Sequence, residues 1–446
     1  MALNARQFLS RVLITIVLFA PVSGFTDANR KTEKREDQTL YLALDAVPYS
    51  LVKELYDKGY MAGYSEPSLV ISTFPSTTTS GLTGLLQPIG VKRALGYDAI
   101  FYDYGDDRVK GSLLTALKEK YNDYERIFDF YRHSFGQKFL IYAAPGVAVQ
   151  RDMGHLQTVL RKNPRKKNIF YYIGGTDGTA HVLGRKRHAH ILRHILNRLD
   201  VIRTRYKKRF GRELNVVLFS DHGFHYRHLK GMRTSLLEKM LKEKGYHLSK
   251  NLNGNGTVVV TEWGNISGAS FYTHPRDTEE VAHLLNKIPG NDLTFFRSGR
   301  SIRVLSPDKG DARIDFDARG KQFRYVPLTG DPLLYREVAE KLGLAADGDW
   351  FLATSRHYYP DALHRIYDAF FTLVENPATI LCSTRDDYEF GDPVTRFSSK
   401  LHGGLKGTHG GIFFTSSEAF VATTIPGVKL PPVLRYSEVF KFFVAP

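Results

Sequence analysis

Asn168-Ile-Phe-Tyr-Tyr-Ile173, followed by Gly174-Gly-Thr-Asp177-Gly-Thr-Ala-His181, is the stretch on which the fold reading turns. It is an apolar run of strand length that ends in a cluster of Gly, Asp and His before a helical pattern begins. The unit recurs along the chain. Leu40 to Leu44 reads as a buried strand with a helix from Ser50 to Lys58, and Ser68 to Ser72 as a strand with a helix from Thr77 to Leu86. Asn215 to Phe219 is a further strand, ending in Ser220-Asp221-His222-Gly223. Strands alternating with helices predict an α/β fold, a mostly parallel central sheet with helices on both faces. The polar clusters then fall at the carboxyl ends of the strands, where open α/β sheets bind ligands. Between about Ser301 and Pro327 the strands shorten around Asp308, Gly310 and Gly320, which predicts a small antiparallel β meander. The Tyr/Phe-rich stretch from about Gly90 to Asn163 reads as an inserted helical region whose aromatics serve the core.

The 446 residues, 42% apolar and 24% charged, are of ordinary globular composition. The start differs: Arg6 and Arg11 flank an apolar run from Val12 to Val22, and Ser23 and Gly24 follow. That layout predicts a cleavable export signal over 1–24, then a charged linker over 25–38 and a catalytic domain over 39–446. The run is interrupted by Pro21 and falls short of the roughly 20 residues a membrane anchor needs, so the mature chain is expected to have no transmembrane segment. A single cysteine, Cys382, excludes an internal disulfide, and export then points to a periplasmic or otherwise secreted setting. The net charge of +16 concentrates in Arg161 to Lys167 and Arg185 to Lys208 and would attract anions. Ile191, Leu192, Ile195, Leu196, Leu199 and Ile202 recur there at helical spacing, so the second segment reads as the solvated face of a core helix. No nucleic-acid-reading motif is present, and no specific nucleic-acid recognition is expected.

Four segments carry chemistry: Leu42-Ala-Leu-Asp45, Gly175-Thr-Asp177-Gly-Thr-Ala-His181, Ser220-Asp221-His222-Gly223 and Gly407-Thr-His409-Gly410. Carboxylate oxygen and imidazole nitrogen together are what a divalent metal asks for, and the glycines let the backbone turn tightly beside it. Asp177 and His181 stand four apart, so one helical turn aims both at one ion. Leu401-His402-Gly403 rivals the His409 segment; His225 and His228 read as loop residues.

In order, Asp45, Ser72-Thr73-Phe74-Pro75-Ser76, Asp177-x-x-x-His181, Asp221-His222-Gly223 and His409-Gly410 resemble the alkaline phosphatase superfamily, in its type I phosphodiesterase and nucleotide pyrophosphatase branch. The resemblance implies an alkaline-phosphatase-like fold and two divalent metal ions; the histidine content favours zinc, with iron, manganese or calcium also open. It implies one ion on Asp45, Asp221, His222 and the Thr73 oxygen, and another on Asp177, His181 and His409. Thr73 would be the nucleophile, its hydroxyl activated by coordination, in hydrolysis of a small phosphate ester through a covalent phospho-threonine. Among neighbouring Thr77, Thr78 and Thr79, the Thr-x-Pro frame selects Thr73, and those three read as helix capping or polar surface. That branch places an Asn about twenty residues beyond the nucleophile; Gly90-Val-Lys92-Arg93 stands there instead, leaving Lys92 or Arg93, with Phe74, as substrate contacts. The departure leaves monoester and phosphonate cleavage open beside the diester, and transfer to an alcohol would use the same site. A sulfatase is disfavoured, since Cys382 stands in Cys-Ser-Thr-Arg rather than Cys-x-Pro-x-Arg. The rival from another class is a basic anion-binding protein without turnover, whose binding would weaken steeply with salt.

Overall fold

The computed structural model describes residues 37–443 apart from 112–121, 129–139, 228, 233, 262–265, 318 and 391–402. The expected export signal, most of the charged linker, His228 and His402 lie outside the described residues. Among the described residues no helix is long and apolar enough to cross a membrane.

The first strand, β1 (Gln38–Leu44), shows why its sequence is apolar throughout rather than alternating. Leu40, Leu42 and Leu44 are buried in one core cluster and Tyr41 and Ala43 in another, because side chains alternate across a strand that is covered on both faces. The first face packs on helix α1 (Tyr49–Asp57) and on the helices Pro145–Lys162 and Gly175–Phe210, through Leu51, Leu55, Val149, Leu156, Leu192 and Leu199. The second packs on helix α2 (Thr78–Leu86) and the C-terminal turn Tyr436–Phe442, through Leu82, Leu85, Val439 and Phe440. Each such side chain contributes roughly 1.5–3 kcal/mol on burial, and Leu42→Ala in this two-sided core would cost about 2–5 kcal/mol.

The central sheet has six strands in the order Val433–Arg435, β2 (Ser68–Ile71), Glu418–Thr423, Leu214–Phe219, β1 and Asn168–Ile173. Five run parallel, and Glu418–Thr423 runs against both neighbours. Leu40 pairs with Ile169 on one side and Val216 on the other, which brings the ends of all three strands to one edge. The helix Gly175–Phe210 breaks at Gly184 (φ 73°), so its first two turns are set apart from the basic remainder. In that remainder Leu192, Ile195, Leu196, Leu199 and Ile202 face inward, as their spacing predicts.

The meander is present as Ser301–Ser306, Gly310–Phe316 and Gln322–Pro327, but it is not small. It is part of a nine-stranded second sheet, continued by Asn291–Ser298, Ile380–Thr384, Gly268–Thr273 and Thr257–Thr261. The pairing of Gly268–Thr273 with Ile380–Thr384 spans over a hundred residues, which local periodicity cannot reveal. Between 90 and 163 the described residues hold a hairpin (Phe101–Asp103 with Arg108–Lys110) as well as helix.

Candidate active site

Five of the six metal-ligand candidates stand where a strand ends or a helix begins. Asp45 follows β1, Asp221 and His222 follow Leu214–Phe219, and Asp177 and His181 occupy the first two turns after Asn168–Ile173. His409 lies on the loop before Glu418–Thr423. The structure gathers them into two buried trios, Asp45 with Asp221 and His222, and Asp177 with His181 and His409, each with ligand atoms within 4.8 Å of one another. The trios adjoin: the rings of His222 and His409 stack with centroids 4.0 Å apart.

Fixed donors and acceptors orient every ligand. His181 Nδ1 lies 3.1 Å from the Gly407 carbonyl, His222 Nδ1 2.9 Å from that of Gly223 and His409 Nδ1 2.8 Å from that of Ser76. With Nδ1–H donating to a carbonyl, each Nε2 carries the lone pair and is the metal-binding atom. The carboxylates follow the same rule. Tyr142 donates to Asp177 Oδ2 at 2.9 Å, Tyr172 donates to Asp45 Oδ2, and the amides of Ala46 and His222 donate to Asp221 Oδ1. The remaining oxygens turn toward histidine Nε2 atoms: Asp177 Oδ1 to His181 at 3.2 Å and His409 at 3.7 Å, Asp45 Oδ1 to His222 at 3.4 Å. Asp177 Oδ1 and Asp221 Oδ2 are buried and have no hydrogen-bond partner among the described residues. Native proteins rarely leave such oxygens unsatisfied, so these donor sets fit cations.

Electrostatics agrees. Burial, then the neighbouring carboxylates of Asp221 and Asp177, push Asp45 well above the usual carboxylate range. Burial, reinforced by His222, holds His409 well below the ordinary histidine value, which keeps it neutral. Burial would raise Asp177 too, but His181 and His409 beside it bring it below its ordinary value. Two divalent cations would over-compensate the three carboxylates by one unit, leaving a centre that attracts an anion.

Thr73, expected as the nucleophile, shows no hydrogen bond to either trio among the described residues. Thr73 is buried with its hydroxyl donating to the Pro75 carbonyl, and its methyl lies against Gly84 of α2. The threonine in the site is Thr78, whose Oγ1 donates to Asp45 Oδ1 at 3.3 Å and lies 3.4 Å from His222 Nε2. Thr78 opens α2, whose N-cap Thr77 accepts from the Ser80 amide; a helix N-terminus favours a phosphate anion. Gly81 makes that position reachable, because a Cβ there would fall 2.6 Å from the Asp221 carbonyl and hold α2 away from the metal trio.

Phe74 is core, fully buried and edge-on to Phe295 at 5.3 Å, so it does not line a substrate site. Lys92 and Arg93 are exposed, and no contact of either with the trios is found among the described residues; the Lys92 amide is held by Asp123. Cys382 is buried in its strand, and burial pushes its thiol up to about 12, which suits no nucleophile. His225 is buried beside Ser267, outside both trios.

Sequence reading missed four further residues. Tyr142 and Tyr172 hold two of the three ligand carboxylates, although aromatics of this kind read as core. Arg365, wholly buried, donates to the carbonyls of Thr73, Ile412 and Pro360 and to the Ser76 and Ser417 hydroxyls, pinning the loop before α2 to the loop after His409. Asp98, half-buried, accepts the Ala99 amide at 2.8 Å; burial pushes its carboxyl up to about 6 against the pull of that amide and of His222. Thr78 had a signal, its place at a predicted helix start, but three consecutive threonines blurred it.

Neither a protein-family model nor a curated protein matches the chain. Among solved structures it is similar to human ectonucleotide pyrophosphatase/phosphodiesterase 5, at 11% identity and TM-score 0.50, over 91% of this chain and 93% of that one. The murine form, as an inactive variant in complex with AMP, aligns at 11% identity and TM-score 0.49 over the same shares. A phosphonoacetate hydrolase from Sinorhizobium meliloti 1021 in complex with phosphonoacetate aligns at 13% identity and TM-score 0.49, over 91% and 94%. At such identities the likeness is one of fold.

Proposed function

We propose that this chain, which has the alkaline-phosphatase-type fold of the nucleotide pyrophosphatase and phosphodiesterase branch, is an exported two-metal hydrolase of small phosphate esters with Thr78 as its nucleophile. The observation that carries the reading is the Thr78 hydroxyl at 3.3 Å from Asp45 and 3.4 Å from His222, at a helix N-terminus beside two buried trios with orphaned carboxylate oxygens. Bound there, divalent ions, zinc being favoured by the three imidazoles, supply positive charge that neutralises phosphoryl oxygens and lowers the pKa of a coordinated hydroxyl. The chain's own groups do the rest. Tyr142, Tyr172 and the three backbone carbonyls fix the ligands before substrate arrives, so little reorganisation is left for the reaction. The α2 N-terminus orients the phosphoryl group in front of Thr78 Oγ1, which attacks phosphorus as one ester alcohol leaves with the hydroxyl proton; water then releases the phosphoryl group from Thr78, as a phosphate monoester when the substrate is a diester. A diester is the favoured substrate, because a single net positive unit suits a monoanionic phosphoryl group better than a dianion.

Elemental analysis of purified protein together with rates on aryl diester, aryl monoester, aryl phosphonate and aryl sulfate tests this. The expected outcome is two divalent ions per chain, chelator-sensitive turnover fastest on the diester, and a phosphopeptide at Thr78 after acid quench. Absence of metal and indifference to chelator would sink the proposal.

A further inference from the structure

The two most basic segments of the chain meet at the edge of the central sheet opposite the metal trios. Five of the seven residues from 161 to 167 and six of the ten from 203 to 212 are Lys or Arg, and neither segment contains an acidic residue. The first closes the helix Pro145–Lys162 and leads into Asn168–Ile173; the second closes the helix Gly175–Phe210 and leads into Leu214–Phe219. Those two strands flank β1 and run parallel to it, so both segments fall where β1 begins. The first residues of β1 tie them together. The Gln38 amide donates to the Glu213 carbonyl at 3.3 Å, the Gln38 side chain to the carbonyls of Asn163 at 2.9 Å and of Lys166, and the Thr39 amide to the Lys167 carbonyl at 2.9 Å.

The charge gathered there is mostly uncompensated. Arg161, Lys162, Arg165, Arg205, Lys208 and Arg209 are exposed. Three carboxylates offset part of it: Asp200 lies 3.7 Å from Arg203, Glu213 pairs with Lys207, and Asp37 Oδ1 accepts the Glu213 amide at 3.1 Å. Eleven cations against three anions set up a field of one sign, which attracts a polyanion. Apolar groups stand among the cations. Val201 is exposed one turn before Arg205, and Phe210 is half-buried with the Arg209 guanidinium 5.5 Å over its ring. Basic side chains interleaved with apolar ones suit a lipid headgroup layer, where cations meet phosphate and apolar groups meet the acyl boundary. Asp37, at the end of the expected charged linker, lies on this same edge, so the expected export signal, a membrane-inserting segment, joins the chain here.

We infer that the edge formed by 161–167 and 203–212 is a docking surface for an anionic phospholipid bilayer. β1 separates this edge from Asp45 by about 20 Å, at roughly 3.3 Å per residue. Docked this way, the protein turns both trios toward the water.

The test is cosedimentation of the purified full chain with vesicles of phosphatidylcholine alone or mixed in equal parts with phosphatidylglycerol. Binding is expected to be at least about tenfold stronger on the mixed vesicles and to fall at least about tenfold between about 50 and 300 mM salt, a reading that needs no variant. A Lys or Arg near an anionic surface contributes about fivefold, so the combined variant Arg161→Gln, Arg165→Gln, Arg205→Gln, Lys208→Gln is expected to lose at least about 100-fold. A control of equal net charge, Lys92→Gln, Arg93→Gln, Arg300→Gln, Arg324→Gln, changes exposed residues away from this edge and is expected to stay within about threefold of wild type. Whatever residues 1–36 contribute is common to all three proteins. Equal binding to the two kinds of vesicle, or equal losses in the two variants, would overturn the inference. So would binding of a single-stranded oligonucleotide without binding of the mixed vesicles, which would give the edge to nucleic acid.

Discussion

Two threonines five residues apart give opposite expectations on truncation. Thr78→Ala removes the oxygen proposed to attack phosphorus and leaves the six Asp and His ligands in place. The loss in kcat is expected to be on the order of 10⁴-fold, about 5 kcal/mol of transition-state stabilisation, with only direct attack by water remaining. Stability should change by less than about 1 kcal/mol, since Thr78 is half-buried and its two side-chain contacts are long, at 3.3 and 3.4 Å. Thr73→Ala removes a buried methyl packed on Gly84 and a hydroxyl bonded to the Pro75 carbonyl at 3.2 Å. It should destabilise by about 1–3 kcal/mol and alter kcat by less than about threefold, because Arg365 holds the Thr73 carbonyl and not its side chain. Initial rates on bis-para-nitrophenyl phosphate, metal content and urea unfolding of both variants decide the matter. An inactive Thr73→Ala with full metal and normal unfolding, alongside an active Thr78→Ala, would refute the placement of the nucleophile on α2.

Three further outcomes follow from the same geometry. Asp177→Ala should lower the metal content to one equivalent, measured by elemental analysis, and cost at least about 100-fold in rate, because its free oxygen faces both histidines of its trio. Arg365→Met should leave three carbonyls and two hydroxyls without their buried donor and lower unfolding stability by about 3–5 kcal/mol in urea titrations; a shift under about 1 kcal/mol would show that water replaces it. His364 is half-buried between Asp347 and Asp368, each 3.2 Å away; desolvation disfavours its charge, but these carboxylates outweigh it and raise it from 6.5 to about 10. A folded value above the unfolded one means stabilisation fully present below about pH 6.5 and lost as pH rises through about 10, on the order of a few kcal/mol. His364→Asn should flatten that slope in unfolding free energy, and an unchanged slope would show that other groups set it.

The order of the Asp- and His-bearing segments along the chain, and its resemblance to that of a known superfamily, is enough to point to the six metal-ligand candidates. Sequence is also enough for the strands and helices of the central sheet, whose apolar runs are short and cleanly bounded. Gly268–Thr273 and Ile380–Thr384 look like isolated apolar runs in sequence, and their union in a nine-stranded sheet needs the whole fold. Tyr142 and Tyr172 read as core aromatics, and only folding shows that their hydroxyls reach Asp177 and Asp45.

The nucleophile marks the boundary most sharply. Sequence by itself pointed to Thr73, after β2 and ahead of a helix, through its Thr-x-Pro frame and the resemblance. Which threonine stands beside the trios is visible only in three dimensions. Successive residues at a helix start point in directions about 100° apart, so Thr77 turns back to cap the helix and Thr78 turns to Asp45 and His222. That direction depends on how closely α2 approaches the Asp221 loop, a distance set by the missing side chain of Gly81 and by packing from strands far away in the chain.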